Sequence, residues 1–113
     1  MREQYIVECE SYQIKVDSPD VNLSETDITD YIWKQADHNP LQLGGEFDSY
    51  TEAYVYARDC KKNDYPTCQK LFGGGYVICG NVYMAESLVV DEDGGLVDYR
   101  GCTMLANEYK GKE

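Results

Sequence analysis

The stretch that most limits what this 113-residue chain can fold into runs from Tyr76 to Ala106. Val, Tyr, Leu and Met dominate Tyr76–Val90 and Leu96–Ala106, and Asp91-Glu92-Asp93-Gly94-Gly95 lies between them. Consecutive glycines supply the positive φ that a tight reversal needs, so the stretch reads as two antiparallel strands folded back on each other. A hairpin alone is marginal in water. The rest of the chain must therefore cover one of its faces.

Upstream, Tyr5 to Val16 is strand-like with a change of phase. Tyr5, Val7 and Cys9 alternate, then Tyr12, Ile14 and Val16 alternate with the parity shifted by one. An inserted residue shifts a period of two, so Glu10-Ser11 is expected to form a bulge in one long strand. Ser18-Pro19-Asp20 breaks the strand. Ser24 followed by Asp27 forms a capping box, and Leu23 with Ile28 a hydrophobic staple. The stripe Ile28, Tyr31, Ile32, Gln35 then predicts a helix that His38-Asn39-Pro40 ends. Leu41–Phe47 reads as a short strand, edge-placed or bulged because it holds Gly44-Gly45. Ser49 and Glu52 open a second helix whose buried stripe is Ala53, Tyr56, Ala57 and Cys60. Asn63 to Lys70 reads as loop, Gly73-Gly74-Gly75 as a flexible connection, and 107–113 as a frayed tail. The order is β-α-β-α-β-β. It predicts a single α+β domain over 1–113, mostly antiparallel, with a long C-terminal hairpin and both helices on one face.

Charge is the strongest compositional signal: 21 Asp and Glu face 10 Lys and Arg, a net of −11. Such a chain stays soluble and lacks the clustered cations that direct binding to nucleic acid or an anionic membrane requires. A basic partner suits it. Nothing approaches a membrane-spanning run, and no signal-peptide pattern opens the chain. Five cysteines at irregular spacing do not resemble a disulfide framework, which points to a reducing cytoplasm. The 11 tyrosines furnish either an interface or a Tyr-rich core.

Acidic residues cluster. Asp17, Asp20, Glu25, Asp27, Asp30, Asp37, Glu46, Asp48 and Glu52 face Lys34 alone, and Glu86, Asp91, Glu92, Asp93 and Asp98 lie about the hairpin turn with no base among them. Spaced carboxylates of this kind imitate phosphates and fit a positive groove. The competing explanation is structural, since helix N-termini favour Asp and Glu and hairpin tips are acidic turns.

No motif for a metal or cofactor stands out. Asp91-x-Asp93-Gly94 opens like a calcium loop, but Cys102 stands where the closing Glu belongs. Gly73-Gly74-Gly75 leads into a strand and lacks the Lys-Ser/Thr of a phosphate loop. Cys60, Cys68, Cys79 and His38 lack the short knuckle spacing of structural zinc. His38 is the lone histidine, and a nucleophilic dyad would need it beside Cys60 or another thiol, with a third group orienting the ring.

In size, acidity, reduced cysteines and lack of a catalytic motif, the chain resembles, as a class, accessory proteins of phages and mobile elements. Anti-CRISPR and antirestriction inhibitors belong to that class, and several act as nucleic-acid mimics. The resemblance implies a basic, nucleic-acid-binding enzyme as partner. The expected function is a non-enzymatic, protein-binding module without cofactor, its acidic face formed by Asp17–Asp48 with Asp91–Asp93. The alternatives are an oligomerisation domain pairing through a strand edge, and a small enzyme using Cys60 or His38.

Overall fold

A computed structural model describes residues 1–111. The elements are β1 (Arg2–Val16), β2 (Asn22–Leu23), α1 (Glu25–Trp33), β3 (Leu41–Phe47), α2 (Tyr50–Lys61), β4 (Thr67–Lys70), β5 (Tyr76–Val90), β6 (Leu96–Leu105) and β7 (Tyr109–Lys110). The fold is α+β, with an antiparallel curled sheet and the expected C-terminal hairpin of β5 and β6.

Two 15-residue strands form its spine: β1 pairs with β5 from Arg2 opposite Val90 to Val16 opposite Tyr76. One side of this ribbon is extended by β3, which pairs with β1. On the other, β4 pairs with the first part of β5 and β6 with its second part. Among the described residues no helix is long and apolar enough to cross a membrane.

The register between β1 and β5 is unbroken through Glu10 and Ser11, so the bulge expected there is absent. The irregularity lies instead between β1 and β3, where Gly44 and Gly45 are the extra residues between Leu43, opposite Val7, and Glu46, opposite Ile6. Both glycines have positive φ, 70° and 75°, the conformation a side chain disfavours.

The phase change has a different cause. Residues directly opposite in a sheet share a face, so Tyr12, Ile14, Ile78 and Val82 share the even-numbered face, and Val7 and Ala85 the odd-numbered one. Ile28 and Ile32 of α1 pack with Tyr12, Ile78, Val82 and Ala106. Ala53 and Ala57 of α2 pack with Val7, Ala85 and Leu105. The helices therefore lie on opposite faces and over opposite halves of the spine, not together on one face. An unbulged strand that buries one side in its first half and the other in its second must change parity midway.

Both helix starts form as their residues dictate. Ser24 Oγ accepts from Asp27 N at 3.0 Å, while Asp27 Oδ2 accepts from Ser24 N at 2.9 Å. Ser49 Oγ accepts from Glu52 N, but the Glu52 carboxylate reaches past it to Asp48 N. In α2, Tyr56 leaves the buried stripe and packs against Phe47, ring centroids 5.0 Å apart. Two alanines let this helix approach the sheet closely.

Thr67–Lys70, read as loop, is a strand, because Leu71-Phe72-Gly73-Gly74-Gly75 is a closed hairpin turn rather than a free connection. Leu71 N donates to Gly75 O and Gly74 N to Leu71 O, the pattern repeated at Asp91 N to Gly95 O and Gly94 N to Asp91 O. The tail is likewise held. Leu23 pairs with Tyr109, Tyr109 Oη donates to Pro19 O at 2.9 Å, and the Asn107 amide donates to the carbonyls of Lys61 and Asp64. The last two positions of the expected frayed tail, 112–113, lie outside the described residues.

Candidate functional site: an acidic cleft on the half-covered sheet

Because α1 covers only one half of the even-numbered face, the other half is left open. Glu8 and Glu10 point there from β1, opposite Met84 and Val82, and Glu86 follows Met84 along β5. Cys102 and Met104 of β6 lie opposite Glu86 and Met84. One wall is Trp33, the last residue of α1, with His38 and Pro40 from the connection to β3. The other is Tyr99, Arg100 and Gly101. Arg100 is the extra residue where the β5–β6 register shifts between Ser87 and Leu88, and a bulge re-aims side chains in this way. The cleft, open to solvent on one side, measures about 550 Å³, within the size range of small-ligand pockets.

Three carboxyl groups floor this cleft in different surroundings. Glu10 is only 8% exposed, and both its oxygens lie 3.2 Å from His38 Nδ1. Glu86 is 5% exposed. Its Oε2 is buried with no hydrogen-bond partner. Burial first, then a hydrogen bond to the Glu8 carboxyl and the charge of that group, push the Glu86 carboxyl up to about 8. At neutral pH the Glu8–Glu86 pair thus holds a proton. Cys102 faces the same carboxyls, and burial, followed by the charges of Glu86 and Glu8, pushes its thiol up to about 11. That makes it a poor nucleophile at neutral pH.

Beside the carboxyls the lining turns apolar and aromatic. Met84 is buried, whereas Trp33 and Tyr99 stand at the mouth 64% and 60% exposed. Arg100 is the one guanidinium among the lining residues, its Nε 3.7 Å from Asp98 Oδ2.

The acidic residues singled out from sequence do not converge. Asp17 follows the Val16 end of the spine, and Asp91, Glu92 and Asp93 follow the Val90 end. The molecule extends 51 Å along its longest axis, and a strand of this length accounts for about 50 Å of it. Several of them have local work. Asp27 closes the α1 cap, and its hydrogen bonds with Ser24 hold its carboxyl below the usual range. Glu25 Oε2 accepts from Lys61 Nζ at 3.2 Å and from Ala106 N at 3.0 Å, tying both helices to the end of β6. Glu46 pairs with Arg2 and Gln4, and Asp91 Oδ1 accepts from the backbone of Asp93 and Gly95 in the turn. Asp17, Asp20, Asp30, Asp37, Asp48, Glu92 and Asp93 are exposed and form no ion pair among the described residues.

The Cys60–His38 pair is not assembled. His38 meets Glu10 on the even-numbered face, while Cys60 belongs to α2 on the other, where burial raises its thiol. All five cysteines are free. Among the described residues no group of three or more His, Cys, Asp or Glu side chains is arranged to hold a metal ion.

Sequence reasoning passed over Glu8, Glu10 and Trp33, and met Glu86 and Tyr99 only as members of an acidic cluster and of the tyrosine set. The signal of the two β1 carboxyls was present in the phase change, because Glu8 and Glu10 share the parity of Tyr12, Ile14 and Val16, and so stand on a core face.

No protein-family model, no curated protein and no solved structure matches the chain.

Proposed function

We propose that the chain is a non-enzymatic binding module for a basic protein, and that the contact centres on the cleft floored by Glu8, Glu10 and Glu86. The observation that carries this reading is the Glu86 oxygen, buried without a donor beside two further carboxyls. A buried acceptor left unmet costs about 1–3 kcal/mol, and a cationic group from a partner would meet it. The exposed rings of Trp33 and Tyr99 add the flat amphipathic surface that interface anchors use. The surrounding net negative charge steers a basic partner toward the site.

Immobilised arrays of basic peptides, probed with the native chain and with an E8Q/E10Q double variant, test this. Binding that weakens with salt and falls in the double variant supports the cleft as the contact. Binding unaffected by E8Q/E10Q would sink it.

A second reading, a charge mimic of nucleic acid that inhibits a nucleic-acid-binding enzyme of the host of a phage or mobile element, is favoured by shape. The body measures 51 × 27 × 19 Å, with free carboxylates at both ends of its long axis. Duplex DNA of that length carries about 30 phosphate charges at one per 1.7 Å, and the net charge of −11 is a partial imitation. A mimic would lose affinity when Asp17, Asp20, Asp91 and Asp93 are neutralised together and would ignore E8Q/E10Q, the reverse of the cleft reading.

A further inference from the structure

We infer that the cleft is built for a guanidinium group, and that its occupant is an arginine side chain of the partner protein, entering between Trp33 and Tyr99 to lie against Glu86 and Glu8. This rests on the cleft being the partner's site and names the chemistry the site selects. The first argument is geometric. Glu10 already has His38 Nδ1 beside both its oxygens, which leaves Glu8 and the unmet Glu86 Oε2 as the carboxyl oxygens of the cleft without a basic group beside them. They come from neighbouring strands, with Glu8 opposite Met84 and Glu86 one step further along the same face. A planar fork with five N–H donors spans two carboxyls set side by side, whereas an ammonium is a point charge that demands water on its remaining donors.

The second argument is the lining. An arginine stem of three methylenes fits along apolar surface with its charged head at the end, and Met84 and Met104, in the same cross-strand row as Glu8, offer such a surface beside the carboxyls. Guanidinium is weakly hydrated and stacks on aromatic faces, with Trp the best of these. Both mouth residues, Trp33 and Tyr99, are aromatic and well exposed.

Charge conservation then sets a readout. At neutral pH the Glu8–Glu86 pair carries one proton. An incoming guanidinium keeps all its own protons, so the shared proton leaves to the buffer and both carboxylates become acceptors. The other titratable or charged groups facing Glu86 are Glu10 on β1, His38 on the α1–β3 connection, and Tyr99, Arg100 and Cys102 on β6. Of these, Arg100 opposes the ligand directly as a cation at the mouth.

The test titrates the full chain with N-acetyl-arginine amide and N-acetyl-lysine amide near pH 6 and near pH 9, at constant ionic strength. Calorimetry in buffers of differing ionisation enthalpy reads the heat and proton release, and NMR shifts of Trp33, Met84 and Met104 locate the site. The arginine probe is expected to bind about tenfold or more tightly than the lysine probe, with affinity rising toward high pH and a proton released near pH 6. E86Q is expected to lose about tenfold in affinity together with the proton release, and E8Q, at a half-buried position, checks the result in a second variant. Equal binding of both probes, still abolished by E8Q/E10Q, would overturn the guanidinium assignment while leaving the acidic-cleft reading in place. No shift at the cleft residues with either probe would overturn both.

Discussion

The ring of Tyr12 lies across Gly80 on the neighbouring strand so closely that a Cβ at position 80 would stand 2.5 Å from its oxygen and 2.8 Å from Cζ. Tyr12 is 4% exposed and belongs to the core beneath α1, so the ring has little room to retreat. Overpacking of this kind costs about 1–3 kcal/mol. Gly80→Ala is expected to lower the unfolding free energy from urea denaturation by that amount, and Tyr12→Leu combined with it to recover part of the loss. A single variant as stable as the parent would show that the ring yields freely.

Glu86 makes folding stability depend on pH. Its carboxyl holds a proton up to about pH 8 in the folded chain, against an ordinary value of 4.5. Between those limits the folded state binds more protons than the unfolded one, so stability from this group is full below the lower limit and declines as pH rises through the upper. The decline is on the order of a few kcal/mol. Glu86→Gln, neutral at every pH, is expected to flatten the profile and to be the more stable protein near pH 9. Parallel denaturation curves at several pH values for the two proteins check this, and identical pH slopes would refute it.

Cys102 is exposed as a residue yet is expected to react slowly with iodoacetamide near pH 8. Reactivity follows the thiolate fraction, and its thiol titrates only at about 11. Glu86→Gln removes one of the charges that raise it, and Cys102 should then label faster. Mass spectrometry of modified peptides over time gives both rates.

The cleft and the dispersed acidic surface separate by substitution. Asp30→Asn with Asp37→Asn removes two exposed charges that form no ion pair, and is expected to change the association rate and its salt dependence while leaving dissociation of a basic partner nearly unchanged. Asp27 is a poor choice for this purpose, because it closes the α1 cap. Arg100→Ala is expected to strengthen binding of an arginine probe several-fold, since it removes a cation from the mouth. Weaker binding in that variant would mean that Arg100 contacts the partner favourably.

Local rules made much of the fold legible. The Ser24–Asp27 cap, the Gly-Gly bulge of β3 and the Asp91–Gly95 reversal each rest on residues within a few positions of one another, and each formed as its chemistry requires. The hairpin of β4 and β5 was missed because three glycines in a row signal flexibility as readily as a turn, and Thr67–Lys70 is too short to show alternation. Helix placement was missed for a longer-range reason. The parity switch at Glu10 and Ser11 is visible in the sequence, but a bulge and a two-faced strand produce the same pattern, and only the register with β5 separates them. The cleft followed that error: read with an inserted residue, Glu8 and Glu10 fall on a solvent face, and the approach of Glu8 to Glu86, 78 positions further on, leaves no local trace.

Placing one helix over each end of the spine, on opposite sides, divides the sheet into four quadrants, two roofed and two open. One open quadrant carries Ser11, Gln13 and Lys15, all exposed, and is content with water. The other carries the carboxyls and their aromatic rim. A chain of this length with both helices side by side would have insulated one surface completely and had no recess to display. The diagonal arrangement gives up that insulation, and the vacancy it leaves is where a partner can be met.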